Sequence, residues 1–206
     1  MNTGSSPSQL LLDHAASPIG TFSIVCDERG CLRALEFEGY DARLRKFLGL
    51  HYGDLADTLH DGQAPRVVLD AIDAYFAGDL HAIEDSKVET AGTDFQRSVW
   101  AELRRIPAGT TISYGELAAR IGNPKASRAV GLANGSNPVV LVQPCHRVIG
   151  ANGSLTGFGG GLERKRWLLT HERRWAGDQP PLALMHPTSD LASSRPETRA
   201  AAPSIS

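Results

Sequence analysis

The chain has 206 residues, of which 41% are hydrophobic and 21% charged, and its formal net charge is −2 at pH 7. This length can bury a sizeable core, which excludes a disulfide-stapled miniprotein. No apolar run approaches the ~20 residues of a membrane span, and the first residues lack the basic and apolar segments of a signal peptide. We therefore expect a cytoplasmic protein whose three cysteines stay reduced.

Charge is distributed unevenly along the chain. Residues 1–90 contain 7 Lys/Arg and 15 Asp/Glu, whereas residues 91–175 contain 12 and 5. The second segment therefore has a net charge of +7, which suits contact with a polyanion such as a nucleic acid. Two oppositely charged surfaces that attract each other would give the same pattern.

The first half of the chain has the pattern of an α/β unit. Strands are predicted over residues 21–25 and 31–37, and the polar, Gly-ended stretch at 27–30 indicates a hairpin turn between them. Apolar residues from Gln63 to Phe76 recur at helical spacing, with Gly78 as the stop. We expect a disordered N-terminus at 1–9, an α/β domain at 10–90, a second domain at 91–175 and a disordered, Pro-, Ala- and Ser-rich tail at 176–206.

The second domain is predicted to be mainly helical. Capping boxes at Thr93–Gln96 and Ser113–Glu116 each indicate a helix start, and Pro107–Gly109 ends the first helix. After the turn at Gly122–Pro124, a third helix is predicted from Ala126 to Asn134. The last two helices have the outline of a helix-turn-helix, which many helical hairpins share without touching DNA.

The third of these helices is unusual in its small side chains. Each Gly costs about 1 kcal/mol relative to Ala in a helix, so a close approach of the backbone must offset that cost. The approach is either to another helix or to a groove, with Arg128 as the one long cationic side chain. The small residues are Ala126, Ser127, Ala129, Gly131, Ala133 and Gly135.

One cysteine, Cys145, follows an apolar run at residues 139–142 that predicts a buried strand. Pro144 fixes its own φ and restricts the residue before it, so the position of the cysteine is well defined. The thiolate is the reactive form of cysteine, and His146 could accept the thiol proton directly or through water. An inert buried cysteine beside a surface histidine is the alternative at this stage.

The sequence Pro144-Cys145-His146-Arg147-Val148 resembles the signature of the O6-alkylguanine-DNA alkyltransferases, also called methylated-DNA-protein-cysteine methyltransferases. The resemblance covers residues 94–173 densely and the Ser17–Gly20 region weakly. Its other motifs are Phe95-Gln96-x-x-Val99-Trp100, Ile106-Pro107-x-Gly109, Ser113-Tyr114-Gly115, Arg128-Ala129-Val130-Gly131, Ala133-Asn134-x-x-Asn137-Pro138, Gly153, Gly157 to Gly161 and Lys165-x-Trp167-Leu168-Leu169-x-His171-Glu172.

The resemblance implies a fold and a reaction. The fold would be an N-terminal ribonuclease-H-like α/β domain followed by a mainly helical, winged-helix-like DNA-binding domain containing the helix-turn-helix. The reaction would move an alkyl group from O6-alkylguanine, and by extension O4-alkylthymine, in duplex DNA irreversibly onto Cys145 in a single turnover. By the same resemblance, His146 would activate Cys145 through a water, Glu172 would orient His146, and Asn137 would brace the turn.

The resemblance also implies how DNA is held. The damaged nucleotide would be extruded from the duplex, with Arg128 filling the vacated stack and Ala129 and Gly131 lying against the DNA. Tyr114 would contact both the phosphate and the base. The base pocket would be formed by Tyr114, Val148, Phe158 and Gly159, with the carbonyls of Cys145 and Val148 facing the guanine amine.

No cofactor or metal is expected. Some members of the family carry a structural zinc, but here Cys26 and Cys31 have no matched His pair, although His14 could be recruited. The expected partner is alkylated double-stranded DNA, without a membrane or an obligate protein partner, and the expected state is a monomer.

The chain departs from the family pattern at a few positions. Val140 stands where the family often has Pro, and Gln143 stands where it usually has an aliphatic residue. A buried amide without partners costs about 1–3 kcal/mol, so packing near Gln143 is in question. Phe158 replaces a common Tyr, and Gly159 is the smallest possible wall, which leaves room for adducts larger than methyl.

Two other classes of function remain open on the sequence. A DNA-binding module that recognises alkylated guanine without reacting would lack the cysteine, so Cys145 argues against it. A cysteine hydrolase with a Cys-His-Glu triad would not need the basic segment or the pair Tyr114 and Arg128.

Overall fold

The computed structural model describes residues 7–177. The predicted disorder of the two termini falls almost wholly outside these residues and stays a prediction. Among the helices of residues 7–177, none is long and apolar enough to cross a membrane.

The N-terminal part of the chain is built on a four-stranded sheet. Strands β1 (Leu10–Ala15), β2 (Phe22–Asp27) and β3 (Leu32–Phe37) pair antiparallel, and the short β4 (His60–Asp61) pairs parallel with β1. The strand order is β3-β2-β1-β4. The predicted hairpin is confirmed, because β2 and β3 are joined by a turn closed by the hydrogen bond from Gly30 N to Asp27 O at 2.9 Å.

Two helices cover this sheet, one on each face. Helix α1 (Asp41–Tyr52) packs Leu44 and Leu48 on the face that carries Val25, whereas α2 (Arg66–Ala77) packs on the opposite face. The helix predicted from Gln63 to Phe76 is confirmed as α2, although it begins at Arg66. A residue that precedes proline disfavours helical dihedrals, so Ala64 cannot extend the helix beyond Pro65.

The C-terminal part is mainly helical. Its elements are α3 (Asp94–Leu103), β5 (Ile112–Ser113), α4 (Tyr114–Arg120), α5 (Ser127–Gly135), β6 (Val148–Ile149) and α6 (Leu162–Ala176). Both predicted capping boxes are present, because Thr93 and Ser113 each exchange side-chain and backbone hydrogen bonds with the residue three positions later. Helices α4 and α5 form the predicted helix-turn-helix, and the fold class is confirmed.

The predicted strand at residues 139–142 is wrong. Only Val139 bridges to β3, through Leu35, and the chain then turns at Leu141, whose φ is 72°. Val142 N donates to Val140 O at 2.9 Å, which closes the turn. An apolar run of only four residues indicates that the residues are buried, but it does not show whether they form a strand. Hydrophobic periodicity alone cannot distinguish a short buried strand from another buried segment.

Candidate active site

The turn that carries Cys145 is braced by a buried side chain, Asn137. Its Nδ2 donates to Gln143 O at 2.7 Å, and its Oδ1 accepts from Val139 N at 3.0 Å. Cys145 begins a 3-10 turn over Cys145–Arg147, and its N–H donates to Gln143 O at 2.7 Å. The Asn137 side chain therefore bonds backbone groups at both ends of a segment that is not part of a regular sheet.

The Cys145 thiol is almost fully buried, at 3% exposure. Burial raises the pKa of Cys145 above its ordinary value. The interaction with Asn137 and the nearby positive charges of Arg43 and Lys165 act in the opposite direction without cancelling it. The thiol is therefore protonated at neutral pH, and it needs a base before it can act as a nucleophile.

His146, the next residue along the chain, is the candidate for that base. Its Nε2 lies 2.8 Å from Oε1 of Glu172, and both side chains are fully buried. Since an ionised carboxylate only accepts, we assign the imidazole proton to Nε2, which leaves a lone pair on Nδ1. Within residues 7–177 the buried Nδ1 has no hydrogen-bond partner. Burial lowers the pKa of His146 although Glu172 opposes the shift, so the imidazole is neutral near pH 7.

Glu172 gathers polar contacts from three other segments. It accepts from Arg147 Nε at 3.0 Å, from the hydroxyl of Tyr75 at 2.8 Å and from Gly109 N at 3.0 Å. Burial alone would raise the pKa of Glu172, but His146 and Arg147 outweigh it and hold that pKa well below its ordinary value. The carboxylate therefore stays ionised and fixes the imidazole in one orientation.

A loop after β6 closes over the site. The hydroxyl of Tyr114 donates to Thr156 O at 3.2 Å and to Gly157 O at 3.4 Å. The ammonium of Lys165 donates to Val148 O at 2.6 Å and to Thr156 O at 2.7 Å, and burial lowers its pKa to about 8. The carbonyl of Val148, expected to face a base, therefore accepts a hydrogen bond from Lys165.

The N-terminal domain supplies one wall of the site through Arg43 of α1. An ideal Cβ at Gly159 would lie 1.6 Å from Arg43 Nη1, so the arginine fills the space that the absent side chain leaves. Arg43 also donates from Nη2 to Asn137 O at 2.8 Å and pairs through Nε with Glu36 at 3.1 Å. The tip of a flexible arginine therefore occupies the space beside Gly159, and tolerance of adducts larger than methyl stays a prediction.

The aromatic residue beside that glycine, Phe158, packs into the same wall. Its ring centroid lies 6.3 Å from that of Phe37 on β3 and 6.4 Å from that of His146, both in edge-to-face geometry. Phe158, which stands where the family often has Tyr, is thus held by ring contacts with residues of both domains.

Helix α5 uses its small residues on two faces. Val130 and Ala133 are buried, and Trp100 of α3 donates to Ala133 O at 2.8 Å, so tight helix packing is one reason for them. Gly131 lies against the ring of Tyr114, with its missing Cβ 3.8 Å from that ring. Arg128 and Ala129 lie on the exposed face.

The expected site residues differ in burial. Cys145, His146, Glu172, Asn137 and Val148 are buried and Tyr114, Phe158 and Gly159 are half-buried, whereas Arg128 and Ala129 are exposed. Sequence reasoning missed Tyr75 and Arg43, which arrive from the N-terminal domain and have no local signal. It also gave no role to Arg147 and Lys165, although both stand inside the matched motifs.

The N-terminal cysteines do not form the zinc site weighed above. Cys31 lies with Asp27 and Glu89 at a spacing that a metal could bridge, but Cys26 and His14 are not part of that group. Arg33 pairs with both carboxylates, at 2.5 Å to Asp27 and 2.8 Å to Glu89, so a cationic side chain already occupies the position of a metal.

Two family models match consecutive parts of the chain. The model for the 6-O-methylguanine DNA methyltransferase ribonuclease-like domain matches residues 11–90, and the model for the DNA binding domain of the same family matches residues 94–174. Both descriptions agree with the α/β sheet and the helix-turn-helix described above.

Relatives and solved structures give the same result. A methylated-DNA-protein-cysteine methyltransferase of Salmonella typhimurium is 48% identical over 164 residues, which are 80% of this chain and 96% of the relative. One from Methanosarcina acetivorans is 45% identical over 157 residues, 76% of this chain and 94% of the relative. The crystal structure of Mycobacterium tuberculosis OGT in complex with DNA is 41% identical, with a TM-score of 0.67 over 81% of this chain and 93% of that one. The chain belongs to the 6-O-methylguanine-DNA methyltransferase family.

Proposed function

We propose that this protein repairs alkylated duplex DNA by moving the alkyl group from O6 of guanine, and from O4 of thymine, to the sulfur of Cys145. The observation that carries the proposal is the buried Nδ1 of His146, which has no partner within residues 7–177 while Nε2 is bound to Glu172. A base poised beside a protonated, buried thiol is the requirement of nucleophilic catalysis by cysteine.

The bond changes follow from this arrangement. The thiol proton passes to His146 Nδ1, directly or through one water, and the sulfur attacks the alkyl carbon. The S–C bond forms as the C–O6 bond breaks, and guanine leaves with that electron pair and takes up a proton. Glu172 stabilises the imidazolium, which is the role of the orienting acid in a catalytic triad.

We infer that the reaction occurs once per molecule. The product at Cys145 is a thioether, and no group of the site offers a way to cleave it. The alkylated protein is therefore the end product, and repair consumes one protein for each lesion.

Reaction inside a duplex requires the target base to leave the stack, which costs a few kcal/mol. Arg128 is exposed on α5 with Ala129 beside it, so this face can meet DNA while the opposite face packs on α3. Arg128 would fill the gap, and the +7 charge of residues 91–175 would attract the phosphates. The similar Mycobacterium tuberculosis OGT, whose crystal structure is a complex with DNA, supports DNA as the partner.

The base pocket must open before it can accept a nucleotide. We propose that the Tyr114 hydroxyl exchanges its bonds to Thr156 O and Gly157 O for the incoming base, with Val148, Phe158 and Gly159 lining the pocket. The protein is proposed to act as a cytoplasmic monomer. Neither a cofactor nor a metal takes part in the proposed reaction.

Two variants separate DNA binding from chemistry. Cys145→Ser should bind an O6-methylguanine duplex like the wild type but transfer nothing, because an alcohol is a poor nucleophile at neutral pH. Arg128→Ala should slow transfer from the duplex about tenfold or more and leave the reaction with free O6-benzylguanine nearly unchanged. Arg66→Ala, an exposed arginine on α2, is the control and should change neither rate. Transfer by Cys145→Ser would refute the nucleophile, and equal losses on both substrates would refute the role of Arg128.

A further inference from the structure

Arg164, in the first turn of α6, joins the loop after β6 to the N-terminal domain. Its Nη1 donates to Gly160 O at 3.1 Å, and its Nε donates to Ile19 O at 2.8 Å. Ile19 lies in the turn between β1 and β2, so the two acceptors belong to different domains. One guanidinium therefore connects the loop directly to the N-terminal domain.

The same guanidinium lies over an aromatic ring of the N-terminal domain. Its Cζ atom is 4.4 Å from the ring centroid of Phe37, on β3, and 5.9 Å from that of Tyr40. Contacts of a guanidinium with an aromatic face at such distances are attractive. Two carbonyl acceptors and a ring together fix the plane of the guanidinium, which a lysine ammonium cannot reproduce.

The loop held by this arginine carries the wall of the proposed base pocket. Gly161 N donates to Phe158 O at 3.0 Å, which closes a turn with Gly159 and Gly160 at its centre. Gly160 is buried against the N-terminal domain, since an ideal Cβ there would lie 2.5 Å from the ring of Phe37. The hydrogen bond to Gly160 O therefore holds the whole turn against β3.

We propose that Arg164 limits the size of the adducts that the site accepts, because it prevents the wall at Phe158 and Gly159 from moving away from Cys145. This inference rests on the proposed function. A methyl adduct adds little volume beside the base, whereas a benzyl adduct adds a whole ring, and extra atoms in a packed site force neighbouring groups to move. Movement of the wall breaks the bond from Arg164 to Gly160 O, so Arg164 disfavours the larger adduct.

Opening of the loop and retreat of the wall have different consequences for the two adducts. Every adduct needs the loop to open for the base, so a change in opening alone alters both transfer rates by the same factor. Only the retreat of the wall depends on the size of the adduct. The ratio of benzyl to methyl transfer therefore reports on the wall, because effects on DNA binding, base extrusion and thiol activation cancel in it.

The test uses two duplexes that differ only in carrying O6-methylguanine or O6-benzylguanine at one position. Single-turnover kinetics of the full chain give a second-order rate constant for each duplex. Arg164→Met should raise the benzyl-to-methyl ratio by about threefold or more, which is within the effect of losing a hydrogen bond to a charged group. Hydrogen exchange at the amide of Gly161, which is bonded to Phe158 O in the wild type, should become faster in this variant.

Two further variants separate the contacts of Arg164 from its charge and from folding. Arg164→Lys keeps the charge but cannot bond two carbonyls and lie over the ring, so it should raise the ratio about twofold or more. This milder variant carries the test if Arg164→Met does not fold. Arg166→Met removes an equal charge from the exposed surface of the same helix and should leave the ratio at its wild-type value.

An unchanged or smaller ratio in the Arg164 variants would overturn the proposal, and so would an equal rise in Arg166→Met. A fall of both rates by the same factor would also overturn it, because Arg164 would then support only stability. A wild-type protein that transfers neither alkyl group to Cys145 would instead refute the proposed function. In that case, unchanged hydrogen exchange at Gly161 in Arg164→Met would still overturn the role of Arg164 in holding the wall.

Discussion

The surroundings of Glu172 and the loop over Cys145 adjoin the same 3-10 turn, but they are held together very differently. Glu172 accepts from four residues of both domains, all fully or largely buried. The loop is held by two long bonds from the Tyr114 hydroxyl, at 3.2 and 3.4 Å, and by a 2.7 Å bond from Lys165 to Thr156 O, and it is rich in glycine. The base is therefore fixed by side chains of both domains, whereas the loop that must admit a nucleotide is held mainly through its own backbone carbonyls.

The largest effect should follow from Glu172→Gln. An amide cannot neutralise Arg147 or stabilise the imidazolium, and breaking a buried ion pair typically costs about 3–5 kcal/mol. We expect a fall in unfolding free energy of that order and a loss of about a hundredfold or more in transfer rate to O6-benzylguanine. Denaturant unfolding and single-turnover kinetics measure both quantities.

The matched control for this variant is Glu163→Gln. It removes the ion pair between Glu163 and Arg166 on the exposed surface of α6, the same helix that carries Glu172. Exposed ion pairs contribute little, so stability and rate should stay near wild type. A Glu172→Gln protein that also behaves like wild type would show that the buried cluster does not position the base.

Alkylation itself should destabilise the protein. Arg43 and Phe158 fill the walls around the thiol, and extra atoms in a packed site cost about 1–3 kcal/mol. For a chain of this length, each kcal/mol lowers Tm by about 2–4 °C. The methylated form should melt a few degrees lower than the free form, and the benzylated form lower still, with earlier protease cleavage near Gly157–Gly161. Equal or higher melting temperatures for both adducts would mean that the pocket is roomier than its walls indicate.

The pH dependence should be the subtlest effect. Burial lowers the pKa of His146, so its neutral form persists below the ordinary value of 6.5. The transfer rate to O6-benzylguanine should therefore hold its plateau as pH falls through 6.5 and decline only in more acidic buffer. A midpoint at or above 6.5 would contradict a buried neutral base.

The sign for stability follows from the same groups. His146 and Glu172 both have folded-state pKa values below their ordinary ones, so both favour the folded state above those ordinary values. Their contributions are lost as pH falls toward the folded-state values. Unfolding free energy should therefore decrease on acidification, first through His146 and then through Glu172, and a rise between pH 7 and 4 would exclude this account.

Local signals in the sequence predicted the elements that depend on local hydrogen bonds. The capping boxes at Thr93 and Ser113 and the turn after Asp27 are each satisfied within a few residues, so the pattern determines them. The run at 139–142 failed as a strand because its pairing with β3 is limited to the bonds of Leu35 with Pro138 O and Val140 N, while the Asn137 side chain bonds Val139 N and Gln143 O.

The candidate site was predictable only where its residues stand inside motifs. Cys145, His146 and Glu172 follow from the resemblance, and the 2.8 Å contact shows that His146 and Glu172 lie together. Tyr75 and Arg43 join from 97 and 94 positions away, through contacts that no spacing in the sequence encodes. Residues that a second domain contributes to a site can be recognised only once the three-dimensional structure is known.

The most direct test of the central claim is the stoichiometry and location of alkyl transfer. The wild-type protein is incubated with a tenfold excess of an O6-methylguanine duplex, and intact mass and peptide mass spectrometry are followed to completion. We predict a plateau at one methyl group per molecule, on Cys145, with an equal amount of guanine restored in the DNA. More than one lesion repaired per protein molecule, or a methyl group on any other residue, would contradict single-turnover transfer to Cys145.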